Sequence, residues 1–303
     1  MGQIRKDQTR AIQLMVIGCL IFLPLMDTAA KYMGETIASA IIVLGRFAFQ
    51  SLFLLPFVWK TIYMPKGAEL RLHFLRSFSI AVSTVCFFTA IQVMPIADAL
   101  AIFFVMPLLV TLLAPWVLGE TVGWRRLAAV AVGMMGAVII IQPGHEVFGL
   151  RALLPLVTAF GFSFYLMFTR KLAREVEGSG VPPITMQFFS GSFGTIIMAV
   201  TIFVMQPFDF AVFNWSFPEA WQWRQLAIVG CLAAVGHLFV TMAFKHADAS
   251  ILAPFQYIEL VGAAILGWYF FGDIPSVSTW IGSFILVGSG LYIFHRERAT
   301  EGE

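Results

Sequence analysis

Charge is the scarcest property of this chain. Asp, Glu, Lys and Arg make up 12% of its 303 residues, about half the share of a typical soluble protein. A chain of this length would need far more polar surface to stay dissolved, so a water-soluble globule is excluded. Cysteine is nearly missing as well. Cys19, Cys86 and Cys231 fall inside apolar stretches without metal-ligand spacing, and they read as small packing residues. Catalytic signatures are missing too: there is no Gly-x-x-x-x-Gly-Lys phosphate loop, no His-Glu-x-x-His, no Gly-x-Ser-x-Gly and no Cys-x-x-Cys. ATP hydrolysis is thereby excluded, and neither a metal nor an organic cofactor is implied. No basic cluster carries interleaved aromatics, so nucleic acid is not an expected partner.

Apolar length is what the chain has in abundance. Hydrophobic residues reach 59%, with 31 phenylalanines, and the mean hydropathy is +0.87. Crossing the hydrocarbon core takes roughly 20 apolar residues. Ten stretches meet that length, near 11–32, 37–59, 72–93, 96–118, 124–142, 149–170, 184–205, 224–246, 249–271 and 275–294. The expected partner is therefore the lipid bilayer, and the expected fold is an all-α membrane protein of ten transmembrane helices. Connections are short except 206–223, where Phe208, Phe210, Phe213, Trp215, Phe217, Trp221 and Trp223 suit a segment lying at the membrane interface. No room remains for a soluble domain.

Basic residues sort by side. One side collects Arg5, Lys6, Arg10, Lys60, Lys66, Arg71, Arg125, Arg126, Arg170, Lys171, Arg174, Lys245, Arg296 and Arg298, and the other only Lys31, Arg151 and Arg224. The positive-inside rule then puts both termini in the cytoplasm and the protein in the cytoplasmic (inner) membrane. The first stretch runs on through Pro24 and Asp27 without a small-x-small cleavage site, which marks it as a retained helix.

Sliding the chain on itself by 153 residues brings Arg71 onto Arg224, Ala90 onto Ala243, and Gly119-Glu120 onto Gly272-Asp273. Ten spans divide as five plus five, and an odd-numbered unit duplicated in one chain inserts its copies in opposite orientations. The expectation is two inverted five-helix repeats, 1–142 and 143–303, an architecture of many secondary transporters.

In the order of these landmarks the chain resembles the EamA-like transporters of the drug/metabolite transporter superfamily. The resemblance spans nearly the whole chain: Ala90, Pro95, Pro107 and Gly119-Glu120, then Ala243, Ala249-Ser250, Pro254, Glu259 and Gly272-Asp273. Two departures stand out. Leu260 occupies a position where the second repeat of many members has Pro, and Asp273 replaces the usual Glu. The resemblance implies export or uptake of a small organic metabolite through a central cavity. Cargo in that family ranges over amino acids, nucleotide-like compounds, riboflavin and S-adenosylmethionine, so the family alone fixes no substrate.

An ionisable group at bilayer depth costs at least about 2.5–3.5 kcal/mol on insertion scales, so each is a candidate for function. Glu259 leads. It lies mid-span five residues after Pro254, with Gln256 and Tyr257 beside it and with Gly262 and Ala263 on its face. A proton-exchanging or cation-recognising carboxylate is one reading; a protonated Glu bonded to a neighbouring helix is the other. His237 suits proton coupling by its ordinary pKa near 6.5, or else bonds a backbone carbonyl. Asp27 and Lys31 stand at i, i+4 and form either a local ion pair or, through Asp27, a ligand contact. Arg46 either snorkels or binds an anionic group by its planar fork. Arg76, Ser79, Ser83, Cys86 and Ala90 make a small, polar stripe that lines a cavity or packs a helix. Tyr165, in a face with Thr158, Phe162 and Thr169, stacks on a planar substrate or bonds between helices.

The reading is a secondary transporter working by alternating access around a site built by spans 1, 3, 4, 6, 8 and 9. Asp27, Arg46, Arg76, Tyr165, His237, Gln256, Tyr257 and Glu259 are its substrate-binding or coupling candidates, and Phe103 and Phe104 join the aromatic wall. Its partners are a small-molecule substrate that is amino-acid-like, flavin-like or nucleotide-like, with protons as the candidate coupling ion. The chain works alone or as a homodimer. A membrane-embedded enzyme acting on lipid is the alternative, and a channel lacks the filter loops it would need.

Overall fold

The computed structural model describes residues 2–119, 122–142, 149–175, 181–246, 252 and 255–301. Among them there is no strand. Eight helices are long and apolar enough to cross a bilayer, and two shorter apolar helices, Ile258–Phe271 and Val277–Ile293, follow. The chain is an all-α, multi-pass membrane protein of ten helices arranged as two inverted five-helix repeats.

Helix α1 runs from Gly2–Ile17 through a π-turn, Gly18–Phe22, into Leu23–Gly34. The next three are α2, Ser39–Val58, α3, Gly67–Val93, and α4, which comes in two pieces, Ile96–Phe103 and Met106–Leu118. They are followed by α5, Trp124–Ile141, α6, Leu153–Glu175, α7, Pro183–Met205, α8, Ala220–His246, α9, Ile258–Phe271, and α10, Val277–Glu301. Glu120, Ala249, Ser250 and Pro254, named above as landmarks, lie outside the described residues. The long connection between α7 and α8 holds two short 3-10 turns. It leaves Phe208, Phe210 and Phe217 well exposed, as an interfacial segment would.

Packing follows the repeat. Helix α3 lies against α6 as α8 lies against α1; α3 meets α7 as α8 meets α2; and α4 meets α6 as α9 meets α1. The pairs α2 with α7 and α5 with α10 exchange with themselves. Every one of these contacts survives when helix n is swapped for helix n+5, which is what a two-fold relation between the halves requires. Local backbone repeats too. Gly119 and Gly272 end α4 and α9 in the left-handed region, at φ +69° and +71°, where a glycine carries no Cβ penalty. The turn at Phe104 (φ −68°, ψ 6°) recurs 153 residues on at Tyr257 (φ −64°, ψ −12°).

The first of those turns has a plain cause. Pro107 has no N–H to offer the carbonyl four residues earlier and suits the first turn of a new helix, so α4 breaks at Phe103 and restarts at Met106. The second turn forms without proline, since Leu260 sits at the equivalent position and its N–H bonds the Tyr257 carbonyl at 3.1 Å.

Glycines set the closest crossings. A Cβ on Gly262 of α9 would stand 2.5 Å from the Leu20 carbonyl of α1. Gly136 and Gly282 press α5 against α10, each facing the other's carbonyl oxygen. Gly191 and Gly194 of α7 receive Phe47 of α2. Gly288 of α10 differs: nothing lies within 4 Å of its would-be Cβ.

Candidate functional site

Where the halves meet they leave a cavity of about 100 Å3. Its wall is drawn from α1 (Cys19, Leu23, Met26, Asp27), α2 (Arg46), α3 (Ile80, Ser83, Thr84, Phe87, Phe88) and α4 (Leu100, Phe103, Phe104, Met106). The rest comes from α6 (Thr158, Phe162), α8 (His237, Val240) and the start of α9 (Gln256, Glu259). Helix α2 is an addition to the six spans expected from the sequence, and it brings Arg46.

Two local devices shape this wall. The break in α4 turns Phe103 and Phe104 inward, with Phe103 at 6.0 Å from Phe87 and 5.3 Å from Phe162, ring centre to ring centre. The π-turn in α1 places Cys19 at its start and, with Pro24 just beyond, re-aims the turn that carries Asp27; such turns locally widen the helix and recur at functional sites. Gly262 lets α9 lie directly on this part of α1, and so keeps Asp27 and Glu259 on one cavity.

The polar groups here are poorly compensated. Asp27 is 2% exposed and its Oδ1 has no hydrogen-bond partner. Arg46, also 2% exposed, leaves Nε and Nη1 without partners. Its remaining nitrogen, Nη2, lies 2.8 Å from His237 Nε2. A guanidinium only donates, so Nε2 accepts and His237 is neutral in this arrangement. Lys31 forms an ion pair with Asp273, and Glu69 approaches His73 at 3.8 Å; Asp27, Arg46 and Glu259 belong to neither contact. Buried polar groups left without partners are costly, which keeps Asp27, Arg46 and Glu259 as candidates for binding a solute.

Five of the eight candidates named from the sequence therefore meet at this cavity: Asp27, Arg46, His237, Gln256 and Glu259. Three do not line it. Arg76 is fully buried elsewhere, donating to Thr169 Oγ1 (2.8 Å), the Met186 carbonyl (2.9 Å) and Tyr165 Oη (3.0 Å). Tyr165 lies beneath that guanidinium, 4.7 Å away, and receives Gln187 Nε2 as well. These two tie α3, α6 and α7 together, and each Arg76 nitrogen has a partner in doing so. Tyr257 packs on Phe104 at 4.9 Å with its hydroxyl against Gly290. The α3 stripe divides in the same way: Ser83 reaches the cavity edge and bonds the Thr158 carbonyl at 2.9 Å, while Ser79 fits against Gly161 of α6.

The expected Asp27–Lys31 pair is corrected. Lys31 Nζ lies 2.6 Å from Asp273 Oδ2, donates to the Met94 carbonyl at 3.1 Å and stands over the Phe271 ring. One turn nearer the helix end, its stem extends outward instead of back into apolar surroundings, where Asp27 is held. Close by, Thr279 of α10 donates to buried Asp98 of α4 at 2.7 Å. Both links join the two repeats at the face opposite the N-terminus.

Sequence reasoning missed Thr84, Phe87 and Met106, although a signal for them existed. The 153-residue shift carries His237 back to Thr84, Val240 to Phe87, Gln256 to Phe103 and Glu259 to Met106, and all eight line the cavity. At two of these pairs an apolar side chain in the first half, Phe103 or Met106, stands opposite a polar one in the second, Gln256 or Glu259.

Comparison with known proteins accords with this geometry. The chain is 28% identical over 278 residues to an S-adenosylmethionine uptake transporter of Rickettsia prowazekii (strain Madrid E), covering 90% of this chain and 89% of the relative. It is 27% identical over 294 residues to a riboflavin transporter of Rhizobium johnstonii (strain DSM 114642 / LMG 32736 / 3841), covering 95% and 91%. A solved crystal structure shares the fold with a TM-score of 0.61 at 16% identity, covering 99% of both chains. The model of the EamA-like transporter family matches residues 10–142 and 150–294. The ten helices are consistent with that match, which covers both halves, and the chain belongs to the EamA-like transporter family.

Proposed function

We propose that this protein carries a small organic metabolite across the cytoplasmic membrane by alternating access around the central cavity, with the halves 1–142 and 143–303 as its two moving units. The observation that carries the reading is the mixed lining of one cavity: rings from Phe87, Phe103, Phe104 and Phe162 together with the polar groups of Asp27, Arg46 and Glu259. A planar group fits the first and a charged group the second. Two carboxyl side chains against one guanidinium favour a cargo with a positive group, the class to which S-adenosylmethionine belongs. A flavin is the second reading, supported by the aromatic wall and by the riboflavin transporters among the relatives.

In this cycle the Lys31–Asp273 pair and the Asp98–Thr279 bond close the face opposite the N-terminus. The basic bias of the loops supports a cytoplasmic N-terminus. Asp27 and Glu259 share one cavity, so a proton held by either competes with a cationic cargo, which provides a route to proton coupling.

The experiment is flux of labelled S-adenosylmethionine, riboflavin and aromatic amino acids into proteoliposomes, with and without a pH gradient. Saturable entry of one of these, displaced by the unlabelled compound, is the expected result. Failure to move any of them, with chemical turnover of added phospholipid instead, would overturn transport in favour of a membrane enzyme.

A further inference from the structure

Arg46 leaves a question that the general transport reading does not answer. Its guanidinium is 2% exposed and carries five N–H donors. His237 Nε2 takes one, and Nε and Nη1 have no partner although both are buried beside the cavity. Among the described residues no carboxylate lies within 4.0 Å of it, and Asp27, on the same cavity, keeps its own Oδ1 unpartnered. A guanidinium and a carboxyl group thus face one space without contact.

We propose that Arg46, positioned by neutral His237, is an anion clamp that takes the carboxylate of a zwitterionic cargo while the cationic group of the cargo meets Asp27. This rests on the cavity being the cargo site. The fork geometry of a guanidinium matches a carboxylate, and the hydrogen bond to His237 removes the rotational freedom that the fork would otherwise lose on binding. His237 is a positioning residue: it works through Arg46, and it does so only while its Nε2 keeps a lone pair. A cargo that lacks the anionic group leaves Nε and Nη1 unsatisfied, which is how a site of this kind rejects it.

The test uses the full chain in nanodiscs in chloride-free gluconate buffer, so that no small inorganic anion fills the clamp. L-tryptophan and tryptamine serve as probes, since both carry the ring and the ammonium and only the first has the carboxylate. Arg46→Gln should weaken tryptophan about 10- to 100-fold, the range of hydrogen bonds to charged groups, and leave tryptamine unchanged. Arg46→Lys keeps the charge without the fork, serves if the glutamine variant does not fold, and should also weaken tryptophan alone. His237→Gln, whose Oε1 can still accept from Arg46, should hold tryptophan binding within about threefold of wild type, whereas His237→Phe should lose about tenfold. Equal losses of both probes in the Arg46 variants, a His237→Gln variant as weak as His237→Phe, or no binding of either probe by the wild type would each overturn the clamp. Flux decides separately: a chain that binds tryptophan through Arg46 yet moves no solute overturns transport alone, and one that moves solute while ignoring the carboxylate overturns the clamp alone.

Discussion

Arg76 separates a structural cation from a cargo-binding one, and the two roles predict different responses to the same substitutions. Its three hydrogen bonds reach Thr169, Tyr165 and the Met186 carbonyl. Each of those groups has another partner. Thr169 also donates to the Tyr165 carbonyl, Tyr165 Oη receives Gln187, and the Met186 carbonyl receives Ser190. Arg76→Met therefore keeps most of the side-chain volume and leaves no group orphaned. The loss is the net value of three bonds, about 1 kcal/mol each, less the desolvation cost that disappears with the charge. A destabilisation of about 1–3 kcal/mol follows. Arg76→Ala adds an unfilled space in a fully buried site and should cost about 3–5 kcal/mol. Unfolding of purified protein in detergent, followed by tryptophan fluorescence, should rank wild type above Met above Ala, while L-tryptophan affinity of the folded Met variant stays within about twofold of wild type. An Arg76→Met protein as stable as wild type that has lost tryptophan binding would refute the structural assignment.

Three further perturbations test the packing, the outer closure and the carboxylates. Gly262→Ala should cost about 1–3 kcal/mol and weaken cargo binding, because the new methyl meets the Leu20 carbonyl and displaces the helix that carries Asp27; Gly288→Ala, with open space around it, should change neither melting nor binding. The Lys31–Asp273 pair is partly exposed, at 14% and 26% for the two side chains, so Lys31→Asp should change stability by no more than about 1 kcal/mol. That variant should nevertheless raise labelling of a cysteine placed at Ser83 by a membrane-impermeant thiol reagent, and the double exchange Lys31→Asp/Asp273→Lys should reverse the effect; unchanged labelling in the single variant would remove the pair from the gate. Glu259→Gln should alter the pH dependence of flux at near-normal expression and Glu259→Ala should abolish flux; a well-expressed alanine variant with the wild-type pH profile would exclude Glu259 from the cargo site.

Much of the fold was legible because bilayer chemistry writes it in long runs. Span lengths and the Gly-acid landmarks depend on composition and on local backbone geometry, and the left-handed caps at Gly119 and Gly272 are both present at the predicted spacing. What could not be read was direction around each helix. Arg76, Tyr165, His237 and Glu259 are all polar groups in mid-span, and the sequence offers no means of telling which of them face the axis and which bond to a neighbouring helix. The first two are consumed by α6 and α7, and the last two line the cavity. Lys31 shows the same limit. Its i, i+4 spacing from Asp27 is a local relation, whereas its partner Asp273 lies 242 residues away and is brought near only by the docking of α9 on α1.

The duplicated architecture repeats the landmarks of the backbone and not the side chains of the cavity. Glycine caps and the turns at Phe104 and Tyr257 serve both halves equally, so they persist at a shift of 153 residues, and the two aromatic rings at those turns pack on each other at 4.9 Å. The cavity positions are under the opposite requirement. A symmetric wall would offer a cargo two equivalent orientations, each with half of its contacts, whereas Thr84, Phe87, Phe103 and Met106 facing His237, Val240, Gln256 and Glu259 distinguish one end of a molecule from the other. Inverted repeats need similar backbones so that the two closures are comparable in energy, and they need dissimilar linings so that one cargo is held in one pose. Unlike side chains on like backbone are therefore the mark of an asymmetric lining in such a chain. By that mark the pairs that separate most in chemistry, Met106 with Glu259 and Thr84 with His237, are the ones whose exchange should change cargo preference with the least effect on the fold.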